Sequence, residues 1–258
     1  MKKAVLATFL VLLFAAALLP AVCQAQWTLG IQVGDWFLYR GTLVSWVAGP
    51  NVPIPPHQYA QDVVTYNTTD WFRYTVTAIS GNNVTFQVVT HWKNGTETTE
   101  TLVDDIMNSF TMMVIGTNLG PGDQVRPAYD WSAVFGFSWI WPPRILNNTV
   151  EDQYLGGSRT ANVLDWWHPP LFEGMEPSTR QVYHWDKQTG IQTLYETYSS
   201  GTDFTSGESY SYVIRRQLID SNKAGLVIPE VFTPLVLLVT VSACTIPVVL
   251  YRRRKVLT

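Results

Sequence analysis

Eleven tryptophans, four histidines and no cysteine away from the two ends bound the chemistry open to this chain of 258 residues. A serine hydrolase presents its nucleophile on a GxSxG elbow, and no such pentapeptide occurs. Cys23 and Cys244 both fall in apolar terminal runs, so the stretch between them offers neither a thiol nucleophile nor a disulfide. His57, His91, His168 and His184 show no HExxH or other close ligand spacing, and a zinc site would have to be assembled by folding. His91 and His184 stand beside Trp92 and Trp185 in strand-like segments, where a half-buried, hydrogen-bonded imidazole is expected. The acidic pairs Asp104-Asp105 and Glu151-Asp152 have the right groups for glycoside hydrolysis, which needs two carboxyls about 5 to 10 Å apart across a sugar. Adjacency in sequence does not provide that separation, and solvated faces or caps are the plainer reading. No aspartate-rich loop of the EF-hand type is present. The residues therefore assign no catalytic group, no metal ligand and no cofactor, and the chain reads as a binding or structural protein rather than an enzyme.

The tryptophans are the stronger signal. They concentrate in YDWSAVFGFSWIWPP, at Tyr129 to Pro143, and in LDWWHPPLF, at Leu164 to Phe172, which are too apolar for ordinary loops. Trp131, Trp139, Trp141, Trp166 and Trp167 are the candidate ligand-binding residues. Indole rings in such runs line a cavity for a lipid or other apolar ligand, stack on sugars, or rest on a membrane interface. The alternative is that they plug the open end of a curved sheet as core. Asn67, Asn83, Asn94 and Asn147 each begin an N-glycosylation sequon, two of them at expected hairpin turns, and mark a glycan-decorated surface. Against this stands the plain abundance of Asn and Thr in turns and strands.

The elements that must position these residues are short alternating segments rich in Thr, Val, Tyr and Trp, broken by glycine and asparagine turns. Trp71 to Ile79, Val84 to Trp92 and Thr96 to Asp105 form one antiparallel meander, with Phe72, Tyr74, Val76 and Ala78 expected on a single buried face. Arg180 to Asp186, Ile191 to Ser200 and Ser209 to Asp220 form another, and Ile145 to Leu155 pairs with Ser158 to Trp167 through Gly156 and Gly157. Trp36 to Gly41 is an opening strand, and the proline-rich Ser45 to Gln61 reads as an exposed loop. Asp105 to Asn118 follows a helical apolar period. The expected fold is mainly β: one antiparallel curved sheet or half-barrel of about nine or ten strands with one covering helix.

The ends define location. Residues 1–25 carry Lys2, Lys3, a long apolar run and a small-residue stretch in the order of a signal peptide; lipidation of Cys23 is the weaker alternative, because Val22 is bulky. Residues 228–251 include 21 uncharged residues from Val231 to Tyr251, enough to span a bilayer as a helix, and the basic tail 252–258 keeps that end in the cytoplasm. The β domain, residues 26–227, is then outside the plasma membrane in a type I arrangement. The net charge of −3 hides an asymmetry: between Gln26 and Glu230 there are eleven cations against twenty acids, or −9, which disfavours nucleic acid as a partner.

VGDWFLYRG, the meander from Asp70 to Leu102, NLGPGDQV, YLGGSRTANVL and YHWDKQTGIQTLYETYSS together resemble archaeal secreted, membrane-anchored surface proteins of unknown function. The YHWDKQTGIQTLYE hairpin is also similar to hairpins of lipoprotein-carrier (LolA-like) folds, which implies a curved antiparallel sheet around an apolar cavity and no particular activity. The tail resembles the archaeal PEF-type sorting signal, which implies an archaeosortase-like processing enzyme as partner. Pro229 and Glu230 match that element, Val231 intrudes, and Phe232-Thr233-Pro234 follow. Because Val231 interrupts the motif, the span is expected to be retained. Mass spectrometry of protein from its native membrane should recover peptides beyond Val231, and a chain ending upstream of it would overturn this reading.

Overall fold

The computed structural model describes residues 28–56, 60–108, 111–130, 132, 140–155, 157–168, 178–203 and 205–223. The expected signal peptide and membrane span lie outside them, and among the described residues no helix is long and apolar enough to cross a membrane.

Alternating Thr, Val and aromatic residues produce long strands: β1 (Trp36–Ala48), β2 (Thr69–Ser80), β3 (Asn83–Trp92) and β4 (Glu97–Asp105) in the first half of the chain. The second half contributes β9 (Asn148–Tyr154), β10 (Gly157–Trp167), β11 (Ser178–Asp186), β12 (Gln192–Thr202) and β13 (Ser209–Ser221). These nine make one antiparallel sheet in the order β4-β3-β2-β1-β13-β12-β11-β10-β9. Each half is a set of sequential hairpins, and the first strand pairs with the last along its whole length, from Phe37 opposite Ser221 to Ala48 opposite Tyr210. Four short strands connect the halves: β5 (Gln124–Arg126) pairs with β8 (Arg144–Ile145), and β6 (Tyr129–Asp130) with β7 (Ile140–Trp141).

One face of the sheet buries Phe37 and Tyr39 of β1, Phe72, Tyr74 and Val76 of β2, Val84, Phe86 and Val88 of β3, and Tyr210, Tyr212, Ile214 and Leu218 of β13. Removing side chains of this size from water contributes about 1.5 to 3 kcal/mol each. A register shift between Val76 and Ala78 reverses the alternation, so Ala78 is exposed and Ile79 turns to the core in its place. The expectation for Ala78 fails because an extra residue at a bulge moves every later side chain to the other face. A second cluster joins Leu164, Trp166, Tyr183 and Trp185 of β10 and β11 to Met112, Ile115, Leu119, Val125 and Leu146.

The expected helix from Asp105 to Asn118 does not form. β4 runs through Asp105, residues 106–108 turn, and Met112 and Asn118 take positive φ values of 49° and 62°. The chain from Thr111 to Leu119 is an irregular strap wedged between the two clusters, with Met113 and Val114 facing one and Met112 and Ile115 the other. Its backbone is satisfied by the sheet: Met113 N–H donates to Asp104 (3.0 Å), Ile115 N–H to the Gly190 carbonyl (2.9 Å), and the Met112 carbonyl accepts from Trp185 Nε1 (2.9 Å). The helix lies instead at α1 (Gln61–Thr68), inside the region after the prolines, with Val63 and Tyr66 buried. The proline-rich loop is correspondingly shorter than expected, since β1 extends to Ala48.

Asp104 is fully buried, accepts from Thr111 Oγ1 and Met113 N–H, and lies 4.0 Å from the Arg126 guanidinium. Burial pushes Arg126 down to about 10, against the pull of Asp104. Asp104→Ala is expected to cost about 3 to 5 kcal/mol, because it strips a buried cation of its counter-charge and the strap of its anchor. Denaturant unfolding monitored by tryptophan fluorescence reads the loss.

Candidate functional site

A cavity of about 400 Å³ lies between the sheet, α1, the strap and the short strands. Its sheet wall is set by register. Tyr183 of β11 faces Tyr195 of β12, Tyr195 faces Arg216 of β13, and Arg216 faces Gly41 of β1, which places all four on one face in a continuous row. Gly41 is required by what sits above it: a Cβ there would lie 2.4 Å from the Tyr66 ring and 2.7 Å from Phe72. The missing side chain lets α1 drop onto the sheet and brings Tyr66 beside Arg216.

Arg216 is held by neutral groups. Its Nε and Nη2 donate to Gln192 Oε1 (3.2 and 2.5 Å) and its Nη1 to Tyr74 Oη (3.2 Å), while the rings of Tyr195, Tyr39 and Tyr74 lie 5.4, 5.7 and 5.8 Å from the guanidinium carbon. Beside it, Gln181 donates to Tyr195 Oη (3.0 Å) and accepts from Tyr183 Oη (2.9 Å), which fixes both phenols. On the other wall Arg144 of β8 stacks over Trp166 at 4.3 Å and Trp141 at 5.5 Å. His168, next after β10, packs against the same two indoles at 4.2 and 5.1 Å. Its Nε2 is buried without a hydrogen-bond partner, and burial, helped by Arg144, pushes its pKa down to about 4, so the ring is neutral at pH 7. Asp62, in the first turn of α1, is exposed to solvent as a residue although its carboxyl is crowded at the cavity; the crowding raises its pKa and Arg216 pulls it back.

Of the tryptophans expected to bind ligand, Trp141 lines the cavity and Trp166 backs it at 8% exposure. Trp167 is not part of the site: it alternates to the opposite face of β10 and is 60% exposed. Trp131 and Trp139 lie outside the described residues. Sequence reasoning missed Tyr66, Tyr74, Tyr183, Tyr195, Arg144 and Arg216. A signal for Arg216 was present in SYSYVIRRQL: Tyr210, Tyr212, Ile214 and Leu218 are buried at every second position, and Arg216 occupies the remaining inward one.

The acidic pairs are engaged elsewhere. Asp104 anchors the strap, Asp105 accepts from Met107 N–H and Asn108, Glu151 from Ser158 and Thr160, and Asp152 pairs with His184 at 2.8 Å. His91 pairs with Glu97 at 3.1 Å, so both strand histidines are half-buried and hydrogen-bonded as expected. Among the described residues lining the cavity Asp62 is the one carboxylate, and no group of three or more His, Cys, Asp or Glu converges to hold a metal. All four sequon asparagines are exposed, and Asn94 accepts from both the N–H and the hydroxyl of Thr96 in its own sequon (3.0 and 2.7 Å). No family model, no curated protein and no solved structure matches the chain.

With its folded pKa below the unfolded value, His168 binds a proton more readily in the unfolded chain, so its contribution to stability falls as pH drops from about 6.5 towards 4. The melting temperature of His168→Gln should therefore lose less between pH 7 and pH 5 than that of the parent, by roughly 2 to 5 °C. Equal losses in paired thermal scans would contradict this burial.

Proposed function

We propose that this chain is a cell-surface binding protein, not an enzyme, anchored to the plasma membrane by its C-terminal segment, whose external sheet curves around a small ligand. The observation that carries this reading is the cavity of about 400 Å³ between the sheet and α1, a size within the range of small-molecule sites. Leu102, Met113 and Trp141 offer apolar contact, and the surrounding phenols offer hydrogen bonds, a combination that suits an amphipathic or ring-bearing ligand, lipid or glycan. A purely structural surface-layer role would be favoured by a solid aromatic core, and the cavity weighs against it. Hydrolysis by paired carboxylates finds no support in a cavity lined by Asp62 alone among the described acids. The exposed sequons fit a glycosylated outer surface, and the lipoprotein-carrier resemblance fits a curved sheet. An archaeosortase-like processing enzyme is the rival to this retained anchor, and the interruption at Val231 favours retention.

Native mass spectrometry of the full chain released from its own membrane tests the reading. A reproducible adduct of one small-molecule mass, lost on Met113→Trp, is the expected result, because the larger ring fills the cavity. A chain that leaves its membrane without an adduct would count against a binding role.

A further inference from the structure

Arg216 differs from the four arginines of this acidic domain that lie against a carboxylate. Arg126, Arg159, Arg180 and Arg215 are matched to Asp104, Asp186, Asp165 and Glu196, at 4.0, 2.7, 2.5 and 2.5 Å respectively. Arg216 has no carboxylate within 4.0 Å among the described residues, although the region from Gln26 to Glu230 carries nine more acids than bases. A guanidinium cannot escape by losing its proton, and an enclosed cation without a counter-charge is costly. Here it is held by a neutral amide oxygen, a phenol oxygen and the faces of three tyrosines. These engage three of its five N–H groups, so two donors remain for a further acceptor. Tyr66 lines the same cavity with its ring over Gly41, and its hydroxyl makes no hydrogen bond among the described residues. Arg144 adds a second guanidinium to the far wall, so the described lining carries two cations against the single carboxylate of Asp62.

We propose that Arg216 is an anion-binding group at the floor of the cavity, and that the ligand carries an acidic head, carboxylate or phosphate, on a flat apolar body. The head takes the two remaining guanidinium donors and the Tyr66 hydroxyl, while the body lies along Trp141, Met113 and Leu102. The inference rests on the cavity reading above and adds the charge of the ligand to it.

The test uses the full chain in lipid nanodiscs, with empty nanodiscs as the blank, and isothermal titration with three water-soluble probes of one shape: 2-naphthoate, 2-naphthyl phosphate and the neutral 2-naphthamide. At least one of the two anions should bind about tenfold or more tightly than the amide. Arg216→Gln should remove that preference. The order of the two anions assigns the head: tighter naphthoate indicates a carboxylate, tighter naphthyl phosphate a phosphate ester. Equal binding of acid and amide by the parent chain would overturn the anion site and leave the cavity reading standing. Binding of none of the three, by a chain that also leaves its membrane without an adduct, would overturn both. Should Arg216→Gln fail to show a cooperative melt, the comparison of anions with amide in the parent chain still decides.

Discussion

One amide side chain holds the interior of this protein together. Gln192 is fully buried at the start of β12, and it works in two directions: its Nε2 donates to the Met112 carbonyl at 3.2 Å and its Oε1 accepts from Arg216 at 2.5 Å. Its own backbone N–H donates to Met113, and its carbonyl accepts from the Tyr39 hydroxyl at 2.8 Å. An inverted amide would set NH₂ against a guanidinium and oxygen against a carbonyl, so only one orientation is compatible with both neighbours. The strap, β1 and β13 are therefore referenced to a single group. This matters because an irregular segment buried between two clusters has no ladder of its own, and each of its polar atoms must find a partner in the sheet.

That dependence explains how far the sequence could be read. The strands were legible because Thr, Val and aromatic residues alternate over long stretches and Gly81, Gly95 and Gly190 mark turns with positive φ. The sheet order needed a long-range fact, the pairing of β1 with β13, which no local pattern carries. Met112 to Ile115 misled for a definite reason: four consecutive apolar residues are consistent with a helix flank or with a segment buried on both sides, and periodicity does not separate the two. What excludes the helix is the surroundings, since Asp104, Trp185 and Gln192 satisfy a non-helical backbone there. The eight-residue α1 was hidden by the opposite problem, as QDVVTYNT buries only Val63 and Tyr66 and offers almost no apolar stripe.

The tryptophan-rich runs drew attention to the correct neighbourhood for a partial reason. Trp141 and Trp166 do stand at the cavity, yet they form its wall with Arg144 and His168, and the polar floor comes from β11, β12 and β13. Composition counts rings but does not say which of them face inward. Trp167 shows the difference, because one step along β10 separates a buried indole from an exposed one. The tyrosines were less conspicuous in the sequence because they are spaced through alternating strands, and they become a site only when register aligns Tyr183, Tyr195 and Arg216 across three of them.

The position of Arg216 also ties the cavity to the closure of the sheet. β13 carries this residue near its end, and five residues later Ser221 closes the strand by donating its hydroxyl to the Trp36 carbonyl at 2.9 Å. Asn222 bonds to Gly34 and Trp36, and Lys223 pairs with Asp35 at 2.9 Å, so the exit of the sheet is fastened to its entrance. Strand rise places Ser221 only about 17 Å from Arg216. The seam between the first and last strands thus performs two tasks. It supplies Arg216 to the cavity and fastens the end of the last strand to the start of the first.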